Sequence, residues 1–179
     1  MSRGWLMLAA CGLLGCAHAP PPQAAAGPGV RLLVPFFPDG TDQCGPSALA
    51  SVLGYWGKPA EPGRLREEVY LAKLQGSLSL DLLLAARARG LDAAMAHPSV
   101  AQAQAELDAG RPLIAFLNQG LRVAPLGHFM VLTGYDDHGF YAHSGLKKDV
   151  HVPYAAFLKQ WERTDRWALM VSGGLASRR

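Results

Sequence analysis

Hydrophobic residues in the first half of the chain recur with the period of an α-helix. One helix is predicted around residues 48–56, where apolar positions follow one another at helical spacings. These positions are Ala48, Leu49, Val52, Leu53 and Trp56. Breaks rich in glycine and proline separate this helix from other segments of the same period. We expect further helices over residues 64–74, 80–89 and 100–109.

The second half of the chain consists mainly of short apolar runs with the length of β-strands. Two strands are also expected earlier, over residues 31–37 and 91–96. The later strands are predicted at residues 112–117, 128–135, 140–143, 150–152 and 167–171, with a helix at 153–161. This order predicts an α+β fold, in which an N-terminal helical half packs on a C-terminal antiparallel sheet.

Composition limits the classes of function. The chain has 179 residues, of which 50% are hydrophobic, so we expect one domain with a substantial core. The net charge of +3 is small, and aromatic residues are not interleaved with a basic stripe. We therefore expect no nucleic-acid partner. After the N-terminus, no apolar run reaches the length of a membrane-spanning helix.

The N-terminus has the pattern of a targeting segment. Arg3 precedes an apolar stretch over residues 5–14, followed by Gly15-Cys16. The sequence Leu-Leu-Gly-Cys at this point resembles the lipobox of bacterial lipoprotein signal peptides. The resemblance implies removal of residues 1–15 and a lipid on the sulfur of Cys16, which would anchor the chain to a membrane. The alternative is an ordinary secretory signal cut near residues 17–19.

The rest of the chain divides into three parts. Residues 16–29 are rich in alanine, proline and glycine and are typical of a semi-extended tether. We expect the folded domain over residues 30–172 and a polar tail over residues 173–179. Ala17, which follows the lipobox cysteine, resembles the signal for an outer-membrane destination. An exported lipoprotein of the cell envelope, facing the periplasm, is therefore expected.

Cys44 is the candidate nucleophile. Cys11 would leave with the signal and Cys16 would carry lipid, so Cys44 has no disulfide partner in an oxidising compartment. It stands just before the first predicted helix, where the helix dipole favours thiolate over thiol. The alternative is a buried cysteine that acts as a small apolar residue.

His128 is the histidine best placed to act as a base. It begins a strongly apolar predicted strand, and Gly127 before it permits close approach of another segment. An imidazole at that position can accept the proton of a thiol. The alternative is a buried ring with satisfied hydrogen bonds. His97 and His138 are expected to be surface residues, and His151 is expected to face solvent.

Two motifs resemble those of the C39-like cysteine peptidases, which belong to the papain-like superfamily. They are QCGPSALA at residues 43–50 and GHFMVLTGYD at residues 127–136, and the resemblance extends over residues 34–171. It implies a papain-like fold and peptide-bond hydrolysis through Cys44 and His128. Known members cut leader peptides after double-glycine motifs, often as a domain of an exporting ABC transporter. This chain looks like the stand-alone branch of the family.

The chain departs from the family at the third catalytic residue. Where the family has an aspartate, this chain aligns Ser144, whose hydroxyl can orient an imidazole but carries no charge. His143 could serve in its place, as a histidine does in some other papain-like hydrolases. Asp149 and Asp136 are weaker candidates. For Asp136, the turn of a predicted hairpin is the better explanation.

A second departure concerns the oxyanion. The family carries a glutamine a few residues before the cysteine, and here that place falls to Asp39, which would repel an oxyanion if it is ionised. The backbone N–H of Cys44 remains as a donor, and Gln43 is another candidate donor.

These observations lead to a lipid-anchored thiol hydrolase acting on a peptide or protein, without a cofactor. Two alternatives stay open: a degenerate C39-like domain that binds a peptide or partner without cutting it, and a thiol acyl- or peptidyl-transferase. A metal site built from Cys44, His128 and His143 is not expected, because no close-spaced pair of ligands anchors it.

Overall fold

The computed structural model describes residues 29–39, 43–121 and 123–173. The expected signal peptide (1–15) and lipidation site Cys16 lie outside the described residues. So do the tether apart from Gly29 and the tail after Gly173. Within the described part, none of the helices combines the length and the apolar character needed to cross a bilayer.

The described residues form a seven-stranded antiparallel sheet and a separate two-stranded hairpin. The strands are β1 (Val30–Arg31), β2 (Tyr70–Leu71), β3 (Gly76–Ser77), β4 (Asp92–Ala96), β5 (Leu113–Asn118), β6 (Gly127–Tyr135), β7 (Gly139–Ser144), β8 (Lys147–Pro153) and β9 (Ala168–Ser172). The order in the large sheet is β4-β9-β5-β6-β7-β8, and β1 pairs with the end of β6.

The described part of the chain also forms five α-helices. They are α1 (Cys44–Tyr55), α2 (Pro62–Val69), α3 (Ser79–Ala88), α4 (Val100–Asp108) and α5 (Tyr154–Trp161). The α+β layout predicted from the sequence is confirmed, with four of its five helices at the expected places. At the start of α4, Ser99 accepts a hydrogen bond from the backbone N–H of Gln102, and the Gln102 side chain bonds back, which completes a capping box.

The helix predicted over residues 64–74 is wrong in its second half. α2 ends at Val69 and is followed directly by β2, and a short 3-10 helix (Ala72–Leu74) then connects β2 to β3, its partner in the hairpin. Gln75 adopts a left-handed conformation with φ of 46°, which reverses the chain direction. Pairing with the following segment therefore overrides the helical pattern of the sequence.

The strand predicted over residues 31–37 is also wrong, because only Val30–Arg31 pairs with the sheet. Pro35 lies in this run and has no backbone N–H to donate to a ladder. Leu32 and Val34 nevertheless bury their side chains in the core. Residues 32–39 thus leave the sheet and run on to the site described below.

Burial of α1 fixes the position of Cys44. Every residue from Gly45 to Leu53 is buried, and α1 packs against α2, α3 and β6. A helix that is buried on all sides belongs to the core, and each fully buried leucine or valine contributes about 1.5–3 kcal/mol relative to an exposed one. The first residue of α1 is therefore held next to the strand that carries His128.

Candidate active site

Three chemically active side chains meet where α1 begins. The Sγ atom of Cys44, a ring nitrogen of His128 and a carboxylate oxygen of Asp39 all lie within 4.8 Å of one another. Cys44 is the first residue of α1, and His128 is the second residue of β6. Asp39 lies in the segment that precedes α1. All three residues are candidate site residues from the sequence, and the fold brings them together.

The pKa of Cys44 departs from the expectation based on the helix dipole. Burial raises the pKa of this thiol, and the negative charge of Asp39 raises it further. The dipoles of the backbone N–H groups of Phe129, Gly45 and Cys44 favour the thiolate and oppose this shift in the pKa. The helix start favours the thiolate as expected, but the opposing effect of desolvation on the pKa is larger.

His128 is held by the strand next to its own. Its Nε2 lies 2.8 Å from Oγ of Ser144, the last residue of β7. When Nε2–H donates this bond, Nδ1 keeps a lone pair that can accept a proton from a thiol. Burial lowers the pKa of His128, whereas the charge of Asp39 raises it. Both shifts favour the uncharged forms of the two groups, a thiol and an imidazole.

Asp39 is fixed by the turn between β7 and β8. Its backbone N–H donates to the carbonyl oxygen of Gly145 at 3.2 Å, next to Ser144. Gly145 has a φ of 62°, so a glycine suits this turn. Burial raises the pKa of the Asp39 carboxyl, while His128 opposes that shift.

His143 does not replace Ser144 as the partner of His128. Its Nε2 lies 3.0 Å from the carbonyl oxygen of Val34, and its Nδ1 accepts the backbone N–H of Asp149 at 3.2 Å. Both ring nitrogens are thus engaged with backbone groups, and the ring is buried. The alternative assignment of His143 as a catalytic residue is therefore contradicted, and its contacts fit a role in folding.

The two weaker candidates also face other groups. The side chain of Asp149 lies 3.5 Å from the His143 ring. Asp136 accepts backbone N–H groups of the hairpin turn and the hydroxyl of Tyr141 at 2.6 Å. Turn formation therefore accounts for Asp136, as the sequence indicated. His138 is exposed, and His151 pairs with Asp136 at 3.1 Å at the far end of the sheet.

Gln43 stands at the N-cap position of α1, directly before Cys44. Its side chain makes no capping hydrogen bond, and the residue is half-buried. Its carbonyl oxygen accepts the N–H of Ser47 at 3.0 Å, which closes the first helical turn. The Gln43 amide is thus available for another partner.

A cleft of about 600 Å³ opens at the reactive residues. One wall is the β2–β3 hairpin, and the other is the loop before β6, with Phe116 between them. The sequence pattern does not reveal the first wall, because residues 64–74 are expected to be helical and residues 76–79 to break that helix. The pair Gly76-Ser77, a break in the helical pattern, was the available signal.

The metal site considered from the sequence is not assembled, because the ring nitrogens of His143 bond elsewhere. Asp39, Cys44 and His128 do offer one oxygen, one sulfur and one nitrogen donor, which are ligand types for Zn²⁺. A closed tetrahedral site needs a fourth ligand, and the grouping found among the described residues has three members. The chemistry proposed below uses no metal.

Comparison with known proteins identifies the family. A sequence model of the Peptidase C39 like family matches residues 30–169. A comparison with curated proteins found no match.

Three solved structures are similar to this chain. The first is a double glycine motif protease from an AMS/PCAT transporter in complex with the leader peptide, with 26% identity, a TM-score of 0.65, and 79% of this chain and 92% of that chain covered. The second is the peptidase domain of Streptococcus ComA, a bifunctional ABC transporter involved in a quorum sensing pathway. It has 23% identity, a TM-score of 0.64, and 76% of this chain and 96% of that chain covered.

The third structure is a protein from Bacillus anthracis described as a C39-like peptidase. It has 21% identity, a TM-score of 0.65, and 80% of this chain and 97% of that chain covered. The second and third structures support the shared fold. Together with the family match over most of the folded domain, they confirm the resemblance seen in the two sequence motifs. The chain belongs to the C39-like family of cysteine peptidases.

Proposed function

We propose that this chain is a peptidase in which Cys44 is the nucleophile and His128 is the general base and acid. The observation that carries the proposal is the approach of the Cys44 sulfur and a His128 ring nitrogen to within 4.8 Å at the edge of an open cleft. The two residues lie 84 positions apart in the sequence, and only the packing of α1 on β6 joins them.

The first half of the reaction forms a thioester. The sulfur of Cys44 attacks the carbonyl carbon of the scissile bond as its proton passes to Nδ1 of His128, which creates the thiolate–imidazolium pair during the attack. The C–N bond then breaks, and the imidazolium gives its proton to the leaving amine. Because the pKa shifts of Cys44 and His128 both favour the uncharged forms, proton transfer and attack are expected to be coupled.

The second half of the reaction restores the enzyme. Water attacks the thioester carbon while His128 accepts one of its protons. The C–S bond breaks, the sulfur recovers a proton from the imidazolium, and the carboxylic acid product leaves. Ser144 keeps the ring oriented through both halves by its hydrogen bond to Nε2.

The developing oxyanion needs donors at the start of α1. The backbone N–H of Cys44 lies at a helix N-terminus, where the helix dipole favours negative charge. The Gln43 amide, which caps no helix N–H, is the second donor that we propose.

The cleft and a related structure support a peptide as the substrate. The similar protease from an AMS/PCAT transporter, 26% identical, is in complex with a leader peptide. The cleft beside Cys44 has about 600 Å³, which falls within the range of small-ligand pockets and holds a few residues of an extended chain.

Cleavage of a degenerate peptide mixture, followed by mass spectrometry, tests the proposal. The unaltered protein should release fragments, and Cys44→Ala and His128→Ala should each abolish release. His138→Ala, at the exposed hairpin turn, is the matched histidine control and should behave like the unaltered protein. Peptide binding without cleavage by the unaltered protein would favour the binding-module alternative. Product that grows only with an added amine acceptor would indicate a transferase.

We also propose that the chain is a lipoprotein anchored through Cys16 to the outer membrane and facing the periplasm. The support is the lipobox-like sequence, followed by an alanine-rich and proline-rich tether. Metabolic labelling with a radioactive fatty acid should mark the full-length protein in a Gram-negative host. Cys16→Ser should lose the label and leave the membrane fraction. A label that persists in this variant would refute the anchor.

A further inference from the structure

Asp39 is the acidic residue of the cleft. Among the described residues that line it, His128 is the only side chain able to carry positive charge, and the remaining ones besides Asp39 and the Cys44 thiol are uncharged. The Asp39 carboxylate lies within 4.8 Å of both the Cys44 sulfur and a His128 ring nitrogen. A substrate bound for attack by Cys44 must therefore pass close to this carboxylate.

The carboxylate of Asp39 has no ion-pair partner within the described parts of the chain. Its neighbours in the sequence, Gly40, Thr41 and Asp42, supply no basic side chain. The carboxyl is half-buried, and this burial raises its pKa. A partly desolvated carboxylate is stabilised by an opposite charge, and the cleft opens on the side from which that charge can arrive.

The negative charge of Asp39 also opposes the chemistry of Cys44. Its charge raises the pKa of the Cys44 thiol and would repel the negative oxygen of the tetrahedral intermediate. A cation on the substrate would neutralise this charge and remove both effects at once. Such a cation would therefore stabilise the transition state more than the bound ground state. It would raise the rate of the reaction as well as the affinity for the substrate.

We propose that Asp39 determines specificity by selecting substrates with a positive charge beside the scissile bond. The charge would come from a lysine or arginine side chain or from the α-amino group of a peptide. This inference rests on the proposed function, because it assumes that Cys44 is the nucleophile. The measurement that reads out the cation preference nevertheless needs no peptide cleavage.

Charged thiol reagents measure the preference directly. Cys44 reacts with methanethiosulfonates to form a mixed disulfide with release of methanesulfinate. The rate should be measured with the cationic trimethylammonium-ethyl reagent and with the anionic sulfonato-ethyl reagent. The ratio of the two rates cancels any change in the thiolate fraction. It should exceed the ratio for free cysteine by roughly 10-fold, as expected for one charge near the sulfur at moderate ionic strength.

Asp39→Asn should bring this ratio to within roughly 3-fold of the value for free cysteine. Asp137→Asn removes the same charge at the far end of β6, outside the cleft lining, and should leave the ratio unchanged. A ratio near that of free cysteine in the unaltered protein would overturn the proposal. So would a high ratio that persists in Asp39→Asn.

Peptide pairs then identify the source of the charge. Peptides with lysine or norleucine at each position flanking the cleaved bond test for a side chain, and free or acetylated N-termini test for an α-amino group. The unaltered protein should cut the cationic member of one series faster, and Asp39→Asn should cut both members at similar rates. A preference for norleucine, or a lysine preference retained in Asp39→Asn, would overturn the proposal. If no peptide is cut but the reagent ratio responds to Asp39, the peptidase proposal fails, and with it the selection of peptide substrates, whereas the preference of the site for a cation beside Cys44 is retained.

Discussion

The imidazole of His128 and the hydroxyl of Ser144 form a hydrogen bond of 2.8 Å between adjacent strands. Ser144 therefore occupies the place, relative to His128, that the sequence alignment gives to a carboxylate in the family. A hydroxyl can hold the ring in one orientation but cannot stabilise the imidazolium by charge. Ser144 thus orients the His128 ring without stabilising its positive charge. Substitutions at Ser144 can separate these two effects experimentally.

Ser144→Asp should increase the reactivity of Cys44 at neutral pH. A carboxylate beside Nε2 raises the pKa of His128 by at least about one unit, and each unit favours the imidazolium roughly 10-fold. Ser144→Ala should lower reactivity by about 2- to 12-fold, the equivalent of a hydrogen bond worth 0.5–1.5 kcal/mol. The rate of alkylation by iodoacetamide at pH 7 checks both variants. Equal rates in all three proteins would show that Ser144 has no effect on His128.

The reactivity of Cys44 should rise at a higher pH than that of an ordinary thiol. Burial raises the pKa of Cys44 and Asp39 adds to it, so the thiolate forms only as the pH passes above the ordinary thiol value of about 8.5. Asp39→Asn removes a negative charge and should move the rise toward lower pH. The alkylation rate between pH 5 and pH 11, compared with free cysteine, measures both. A midpoint below that of free cysteine would contradict the dominance of burial.

His143 should matter for stability and not for chemistry. His143→Ala leaves the Val34 carbonyl and the Asp149 N–H without their partner, and a buried unsatisfied group costs about 1–3 kcal/mol. Urea unfolding should show a loss of that size. The alkylation rate of the folded variant should stay within about 3-fold of the unaltered rate, because no reacting group is removed. A stable His143→Ala variant with a large loss of reactivity would return His143 to the catalytic site.

Gly127 should be required for the shape of the cleft. A Cβ at this position would lie 2.6 Å from Cζ of Phe116, so Gly127→Ala must displace that ring. Overpacking of this kind costs about 1–3 kcal/mol and here also moves the strand start next to His128. Thermal unfolding and alkylation should both be affected.

Gly63→Ala is the control for Gly127→Ala. Nothing lies within 4 Å of a Cβ at Gly63, which is in the first turn of α2. Alanine also favours a helix by roughly 0.5–1 kcal/mol over glycine. This variant should be as stable as the unaltered protein or more stable. Similar losses in both variants would show that the Phe116 contact is not the cause.

The sequence predicts those parts of the site that depend on local pattern. Cys44 precedes a run of apolar residues with helical period, and His128 opens the longest apolar strand, so both positions follow from the residues around them. The two family motifs supply the pairing between them, which periodicity alone does not give. Ser144 as the partner of His128 was likewise expected from the alignment, and the hydrogen bond confirms their contact.

Other features depend on contacts between distant parts of the chain. Tyr70 and Leu71 continue an apolar pattern that favours a helix, but they pair with Ser77 and Gly76, which line the cleft. The pKa of Cys44 is a similar case, because a local argument includes the helix dipole but not the desolvation that packing imposes. Desolvation can be assessed only once the tertiary structure is known.

The rate of Cys44 alkylation by iodoacetamide at pH 7, with and without His128, tests the central claim most directly. At this pH an isolated buried thiol is protonated, and reaction depends on a base that takes its proton. His128→Ala should slow alkylation by at least roughly 10-fold, while His138→Ala should leave the rate unchanged. A His128→Ala variant that is folded and reacts as fast as the unaltered protein would contradict the role of His128 as the base for Cys44.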